Sequence, residues 1–223
     1  MDSKHATIDR NLQAIRARIA GAAHRAERSP QEVRLVAVTK SIGVMEAKAL
    51  YELGVRDMAE NRVEVARPKL EALHPPDLCW HMIGNLQRRK VREAVRHFDR
   101  ADAIDRLSLA RALQDRCDEA GRTMACLVEV NVSGETTKHG FTPDGLGPAL
   151  LELRAFDCLT VEGLLTMAPW GAEEAAIRRV FRNLRELGQA HGLKELSMGM
   201  TDDFELAIEE GATQVRIGRA LFE

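Results

Sequence analysis

Eight short apolar segments recur along the chain, and this regular recurrence restricts the possible fold more than any other feature. From residue 33 onward, most of these segments are followed by a longer stretch in which apolar residues return with helical spacing. The predicted strands cover residues 33–38, 57–61, 79–84, 100–105, 124–131, 159–167, 195–199 and 214–218. The predicted helices between them include residues 45–53, 62–73, 86–98, 107–120, 172–191 and 203–210. Such alternation is typical of βα units that build a parallel sheet.

Eight such units in a chain of 223 residues predict one (β/α)8 barrel domain that spans residues 1–223. A further amphipathic helix, residues 8–27, precedes the first predicted strand. The sequence stops just after strand eight, so we expect this leading helix to complete the outer ring. A doubly wound open sheet is the alternative, but the glycine-rich motifs of nucleotide-binding open sheets do not occur.

Charge and composition point to a small-molecule ligand. The chain has 32 basic and 34 acidic side chains, which are interspersed, so no basic patch typical of nucleic-acid or membrane-surface binding is predicted. The four cysteines are scattered without Cys-x-x-Cys spacing, which argues against a zinc site and a disulfide framework. No stretch approaches the apolar length of a membrane span or a signal peptide. We therefore expect a cytoplasmic protein with reduced cysteines.

The segment "LVAVTK" carries a lysine just beyond a predicted buried strand. Side chains alternate along a strand, so Val36, Val38 and Lys40 share the side that faces the barrel interior. Active sites of such barrels lie at the carboxyl ends of the strands, where partial burial would lower the pKa of a lysine and make it a nucleophile for carbonyl groups. Schiff-base formation is the natural use of this amine. From position alone, a lysine that marks the end of the strand and reaches into solvent is the alternative.

The last two predicted strands each run into a polar or glycine-containing turn. In barrels these turns commonly bind a phosphate through backbone N–H groups, and here they offer Ser197, Gly199, Gly218 and Arg219. Thr201 or Asp202 as a simple helix cap is the alternative interpretation of the first turn. Arg216 should point to the same side of its strand as Gly218, and a guanidinium inside a barrel requires an acceptor.

These segments carry a strong family resemblance. The motifs are "AVTK", "AEN", "WHMIGNLQRRK", "EVNVSGETTKHGF", "GLLTMAP", "LSMGMTDDFELAIEEGATQVRIG" and "RALF". In this order they resemble the pyridoxal phosphate homeostasis proteins, which are single-barrel relatives of the N-terminal domain of alanine racemase (fold type III of the pyridoxal phosphate proteins). The resemblance spans residues 33–222.

The resemblance implies that pyridoxal 5′-phosphate is bound as a Schiff base to Lys40. It implies that Asn61, His81 and Gly84 form part of the pocket wall and that Arg216 faces the pyridine nitrogen. The residues implied at the phosphate are Ser197, Met198, Gly199, Gly218 and Arg219. It implies no metal and no catalytic residue.

The same resemblance implies a protein of vitamin B6 homeostasis that stores, buffers or delivers the cofactor, with cofactor-requiring apoenzymes as possible recipients and with a monomeric state. A guanidinium does not readily release a proton, so an unprotonated pyridine nitrogen next to Arg216 would be a weak electron sink. A small amino-acid racemase is the alternative, with water or Tyr51, in the first predicted crossover helix, as its second base. A barrel aldolase whose lysine attacks a sugar phosphate is the third hypothesis.

Overall fold

Eight parallel strands form a closed barrel in the computed structural model, which describes residues 3–223. The strands pair in chain order, with β8 beside β1. They are β1 (Arg34–Val38), β2 (Asp57–Glu60), β3 (Cys79–Met82), β4 (Arg100–Ile104), β5 (Met124–Glu129), β6 (Leu159–Leu165), β7 (Glu195–Ser197) and β8 (Gln214–Ile217). The predicted barrel and its eight strands are confirmed. Strand β1 ends at Val38 as predicted, and the other seven end one or two residues earlier than predicted because their last residues belong to the loops at the mouth. We use "mouth" for the end of the barrel formed by the carboxyl ends of the strands.

Helices surround this barrel on the outside. They are α1 (Ser3–Arg25), α2 (Val44–Glu52), α3 (Val63–Ala72), α4 (Val91–His97), α5 (Leu107–Glu119), α6 (Pro143–Leu153), α7 (Glu174–His191) and α8 (Phe204–Glu209). Short 3₁₀ turns occur at Pro30–Glu32, Arg88–Lys90 and Arg219–Leu221. Within residues 3–223, no helix combines the length and the apolar character that crossing a membrane requires.

The leading helix α1 occupies the place in the ring between α8 and α2, as predicted. Its apolar stripe, which includes Leu12 and Ile15, is buried against the rest of the protein. On the side of α8, Arg18 donates to the Glu205 carboxylate at 2.7 Å and its guanidinium lies over the Phe204 ring. Helix α1 therefore covers the β8–β1 seam.

The barrel interior changes character along its axis. Many inward residues toward the N-terminal ends of the strands are charged or polar, and they form what we call the charged interior: Arg34, Asp57, His81, Arg100, Asp102, Glu162, Glu195 and Gln214. Nearer the mouth follows a small apolar cluster: Val36, Val38, Ala59 and Ile83. The inward positions beyond this cluster, toward the carboxyl ends of the strands, lie at the mouth itself. On the side of β1–β3 these apolar residues thus lie between the charged interior and the mouth, whereas on β8 the same level is occupied by Arg216.

Candidate functional site

Lys40 lies at the mouth, in the turn two residues beyond the end of β1, and its side chain is exposed, so the partial burial expected of it is not found. Strand β8 is its neighbour, with Arg216 in register with Val36. Farther along β8, Gly218 lies beside Val38, since a Cβ built at Gly218 would be 3.6 Å from the Val38 Cβ. The fold therefore places Arg216 on β8, and Lys40 and Gly218 in the turns that follow the neighbouring strands β1 and β8, at the same end of the barrel.

Arg216 is buried at the mouth, and its hydrogen bonds fix the direction of its guanidinium. Its Nη1 donates to the Ser197 hydroxyl at 2.8 Å and its Nη2 donates to the Thr166 carbonyl at 3.0 Å. Burial lowers the pKa of Arg216, while the carboxylates of Asp203 and Glu129 oppose this shift. The acceptors that a buried guanidinium requires thus come from β7 and from the loop after β6.

The turn after β7 approaches helix α8 so closely that it requires glycine at one position. Gly199 has a φ of +90°, and a Cβ there would lie 2.5 Å from the Ala207 Cβ. Met198 differs from its neighbours: its side chain is buried in the layer between the sheet and the helices, and its N–H donates to the Gln214 carbonyl at 3.1 Å. The structure therefore places Ser197 and Gly199 at the mouth and the Met198 side chain away from it.

The turn after β8 contacts the turn after β7 through charged side chains. Arg219 begins a 3₁₀ turn, is largely exposed, and has its Nη2 3.4 Å from the Asp202 carboxylate. The turns that were predicted to bind a phosphate are thus adjacent in space.

Asn61 and Gly84 meet at the same end of the barrel. A Cβ at Gly84 would lie 2.4 Å from the Asn61 carbonyl oxygen and 2.8 Å from the Asn61 Cα. Glycine at this position allows the backbone that follows β3 to lie against the backbone that follows β2.

His81 belongs to the charged interior, and the structure does not bring its ring nitrogens to the mouth. Its Nδ1 is 2.6 Å from an Asp102 carboxylate oxygen, and its Nε2 is 3.0 Å from a carboxylate oxygen of Asp57, the first residue of β2. Burial by itself would lower the pKa of His81, but the charge and hydrogen bond of Asp102 raise the pKa well above its usual value. Both ring nitrogens are therefore occupied by carboxylates.

Comparison with known proteins identifies the family. The family model described as "Alanine racemase, N-terminal domain" matches residues 10–223. A Pseudomonas aeruginosa protein named "Pyridoxal phosphate homeostasis protein" is 40% identical over 97% of this chain and 95% of its own length. An Escherichia coli K12 protein of the same name is 36% identical over 96% of this chain and 95% of its own length. The chain belongs to the pyridoxal phosphate homeostasis protein family.

Solved structures agree with this assignment. An unknown protein from Bifidobacterium adolescentis superposes with a TM-score of 0.94 at 33% identity, over 100% of this chain and 97% of that chain. PipY of Synechococcus elongatus PCC7942, described with pyridoxal phosphate bound, has a TM-score of 0.83 at 33% identity, over 97% of this chain and 100% of PipY. Alanine racemase of Clostridium difficile 630 shares the barrel fold, with a TM-score of 0.75 at 14% identity over 97% of this chain and 56% of the racemase.

Tyr51 cannot serve this family member as a base opposite Lys40. Its hydroxyl donates to the Asp77 carboxylate at 2.7 Å, and its ring lies under the Arg56 guanidinium at 4.3 Å. Arg56 directly precedes β2 and Asp77 lies two residues before β3, so this contact lies at the opposite end of the barrel from the mouth. The racemase alternative loses the tyrosine that the sequence had suggested for it.

Sequence reasoning missed a buried ion pair next to Lys40. Lys69 of α3 donates to the carbonyls of Thr39 and Ile42 at 2.7 and 3.0 Å, and its Nζ is 2.5 Å from the Glu60 carboxylate. The Thr39 hydroxyl also donates to Glu60 at 2.5 Å. These bonds hold the backbone on both sides of Lys40. The available signal was a lysine on the apolar face of α3, whose buried residues are Val63, Ala66, Lys69 and Leu70.

Glu129 is a second mouth residue that sequence reasoning missed. It ends β5 and is almost fully buried. Burial, together with the charge of Asp105, raises the pKa of its carboxyl, and Arg216 partly offsets this shift. Beyond it, the loop after β5 reaches across to the loop after β6, where the Lys138 Nζ donates to the Met167 carbonyl at 3.3 Å.

Proposed function

We propose that this chain binds pyridoxal 5′-phosphate at the mouth of the barrel and takes part in its homeostasis as a carrier. In this proposal Lys40 holds the cofactor as a Schiff base, and the protein stores it, buffers it or delivers it to apoenzymes. The observation that carries the proposal is the convergence of an exposed lysine amine, a buried and oriented guanidinium, and two adjacent turns at one end of the barrel. PipY, 33% identical over nearly the whole chain, is described with this cofactor bound.

The residues at the mouth suit the parts of the cofactor. The Lys40 amine reacts with an aldehyde, and backbone N–H groups of the turns that contain Gly199 and Gly218 would bind a phosphate. Arg219 adds a positive charge that its bond to Asp202 keeps near these turns. Arg216 would donate to the pyridine nitrogen, with Ser197 and Thr166 fixing its orientation. When bound, pyridoxal phosphate supplies an aldehyde and an electron-withdrawing ring.

The same residues favour holding the cofactor over turning over a substrate. A donor that does not readily release its proton keeps the pyridine nitrogen unprotonated, which weakens the ring as an electron sink. A two-base racemase also requires an acid or base on the face opposite Lys40, and Tyr51 lies at the other end of the barrel.

Glu129 keeps amino-acid racemisation as a second candidate function. A buried carboxyl with a raised pKa at the mouth is the kind of group that can act as a general acid or base. Incubation with L-alanine in D₂O distinguishes the two functions. A carrier gives negligible exchange at the α-carbon. A racemase gives exchange with inversion that is lost in both Lys40→Ala and Glu129→Gln.

The direct test of the proposal compares purified wild type with Lys40→Ala and with the control Lys194→Ala, which removes an exposed lysine just before β7. We expect wild type and Lys194→Ala to show the yellow absorption of bound cofactor and, after borohydride reduction, one cofactor mass attached to the peptide that contains Lys40. Lys40→Ala should be colourless and unlabelled. Loaded wild type should also reactivate a cofactor-requiring apoenzyme. A colourless wild type without adduct, or an adduct that persists in Lys40→Ala, would contradict the proposal.

A further inference from the structure

A second group of ligand atoms lies at the end of the barrel opposite the mouth. Asp57, Cys79 and His81 each offer one ligand atom, and these three atoms lie within 4.8 Å of one another. Asp57 begins β2, and Cys79 and His81 stand two residues apart on β3, where Asp57 is in register with Cys79. Alternation along β3 directs both of its residues to the same side. His81 is fully buried, whereas Asp57 and Cys79 are partly exposed, so an ion from solvent can reach the group.

We propose that Asp57, Cys79 and His81 form a Zn²⁺ site at the N-terminal end of the barrel, separate from the cofactor site. A thiolate, an imidazole and a carboxylate are the three ligand types that zinc combines in proteins. Three protein ligands leave the fourth tetrahedral position for water.

The surroundings of His81 already have the form that metal-bound histidines show. Its Nδ1 faces Asp102 at 2.6 Å, and Asp102 in turn accepts from the Arg100 Nε at 3.1 Å. A carboxylate on Nδ1 fixes the ring orientation and directs Nε2 toward the metal. Here Nε2 faces Asp57 at 3.0 Å. The supporting residues are therefore in place before any ion binds.

The spacing and charge of the three ligands suit a divalent ion. Tetrahedral bonds of about 2.0–2.3 Å separate ligand atoms by roughly 3.3–3.8 Å. The Asp57 oxygen and His81 Nε2, now 3.0 Å apart, would therefore open slightly, and the Cys79 sulfur, within 4.8 Å of both, would approach them. Binding replaces the thiol proton of Cys79 and a proton of the His81 ring, both of which pass to solvent, and the net charge of the group stays the same. Arg34 lies 3.8 Å from Asp57, but it is also 3.5 Å from Glu195 and partly exposed, so it can turn toward Glu195.

Sequence spacing could not reveal this site. The absence of Cys-x-x-Cys pairs argues against sites built from several cysteines, whereas this group uses one cysteine and takes Asp57 from another strand. Register between β2 and β3 creates the group, and register is not visible in the sequence.

The test uses the full chain, freed of metal with a chelator and titrated with Co²⁺ as a spectroscopic probe for zinc. We expect one Co²⁺ per chain, with a thiolate charge-transfer band and tetrahedral d–d bands in the red part of the spectrum, where pyridoxal phosphate does not absorb. Zn²⁺ should displace the cobalt and remove these bands.

Variants assign the bands to the proposed ligands. Cys79→Ser should remove the charge-transfer band and weaken Zn²⁺ binding at least about 100-fold, since loss of a ligand costs more than loss of a supporting residue. Asp57→Asn tests the second partly exposed ligand and should also weaken binding. Cys158→Ser, a partly exposed cysteine elsewhere, is the matched control and should bind like wild type. Far-UV circular dichroism checks that each variant is folded.

Lys40→Ala keeps this test independent of the cofactor proposal, because it leaves all three zinc ligands in place. The zinc proposal is wrong if wild type shows no cobalt bands. It is equally wrong if Cys79→Ser keeps them or if Cys158→Ser loses them.

Discussion

Glu129 shows how a single residue at the mouth lowers the stability of the fold. Its carboxyl is buried at the end of β5, and burial together with Asp105 raises its pKa above the usual value. When an acid has a higher pKa in the folded than in the unfolded state, ionisation weakens the folded state. The cost grows as pH rises from the unfolded pKa through the folded pKa, and it is fully present above both.

Replacing Glu129 with glutamine should therefore stabilise the cofactor-free protein at pH 7. The gain should shrink as pH falls and vanish below the pKa of an unfolded glutamate, about 4.3. Urea unfolding of wild type and Glu129→Gln between pH 4 and 8, all at about the same ionic strength, measures this difference. Glu135→Gln is the opposite control, because Lys138 and Ser133 lower the pKa of that carboxyl. A gain that does not change with pH would contradict this account.

Some residue positions followed from the sequence because strand periodicity is local. The alternation of side chains predicted Arg216 and Gly218 together on β8, and the structure brings Gly218 beside Val38 there, whereas Lys40 lies in the exposed turn that follows β1. The same alternation puts Met198, one residue after Ser197, on the outer side of the sheet. Lys69 and Glu60 were missed because the pair forms between a helix and the end of a strand and takes its other partners, Thr39 and Ile42, from a segment about 20–30 residues earlier in the chain.

Among the elements, α3 supports the site most directly. Lys69 reaches from its buried face to the carbonyls of Thr39 and Ile42, and it neutralises the buried carboxylate of Glu60. This helix thereby fixes the loop that presents Lys40.

Lys69→Met should reduce the free energy of unfolding by about 3–5 kcal/mol, because it leaves the Glu60 carboxylate buried without a counter-ion. The double variant Lys69→Met/Glu60→Gln should recover part of the loss. Both variants lack the Lys69 amine, which donates to the carbonyls of Thr39 and Ile42 in the loop that presents Lys40. Cofactor should therefore dissociate from both variants faster than from wild type. Urea unfolding and the decay of cofactor absorbance on dilution measure the two effects. Equal stability of the single and double variants would show that the unpaired Glu60 carboxylate is not the cause of the lost stability.

Helix α6 is the element that sequence patterns did not predict. Its sequence "PDGLGPALLEL" contains two prolines and two glycines, which usually interrupt helices. Pro143 stands in the first turn, where proline is tolerated, and the Thr142 hydroxyl accepts from the Gly145 N–H at 3.1 Å. Pro148 costs about 3 kcal/mol inside a helix, but burial of Leu146, Leu150 and Leu153 contributes about 2 kcal/mol for each side chain. Tertiary burial therefore outweighs local propensity.

At the scale of the whole molecule, the barrel order could be predicted while the interior could not. Parallel strands joined by short right-handed crossovers have few possible arrangements, so counting eight units and a leading helix was sufficient. The composition of the interior depends on which inward residues face one another across the barrel. Arg100 shows this, since its carboxylate partners Asp102, Glu162 and Glu195 come from three strands.

The charged interior and the mouth lie at different levels of the barrel. We therefore expect substitutions in the charged interior to change stability more than cofactor binding. Arg100→Met should lower the free energy of unfolding by about 3–5 kcal/mol, because three carboxylates lose their shared counter-ion. Arg111→Met breaks one exposed pair with Glu152 and should cost about 0–1 kcal/mol. Cofactor affinity of the folded Arg100→Met protein should change little, because the carboxylate partners of Arg100 are Asp102, Glu162 and Glu195 and the apolar cluster around Val38 lies between them and Lys40. Urea unfolding and cofactor titration at a temperature where both variants are folded measure these quantities. A weaker affinity in folded Arg100→Met would show that the two ends of the barrel are coupled.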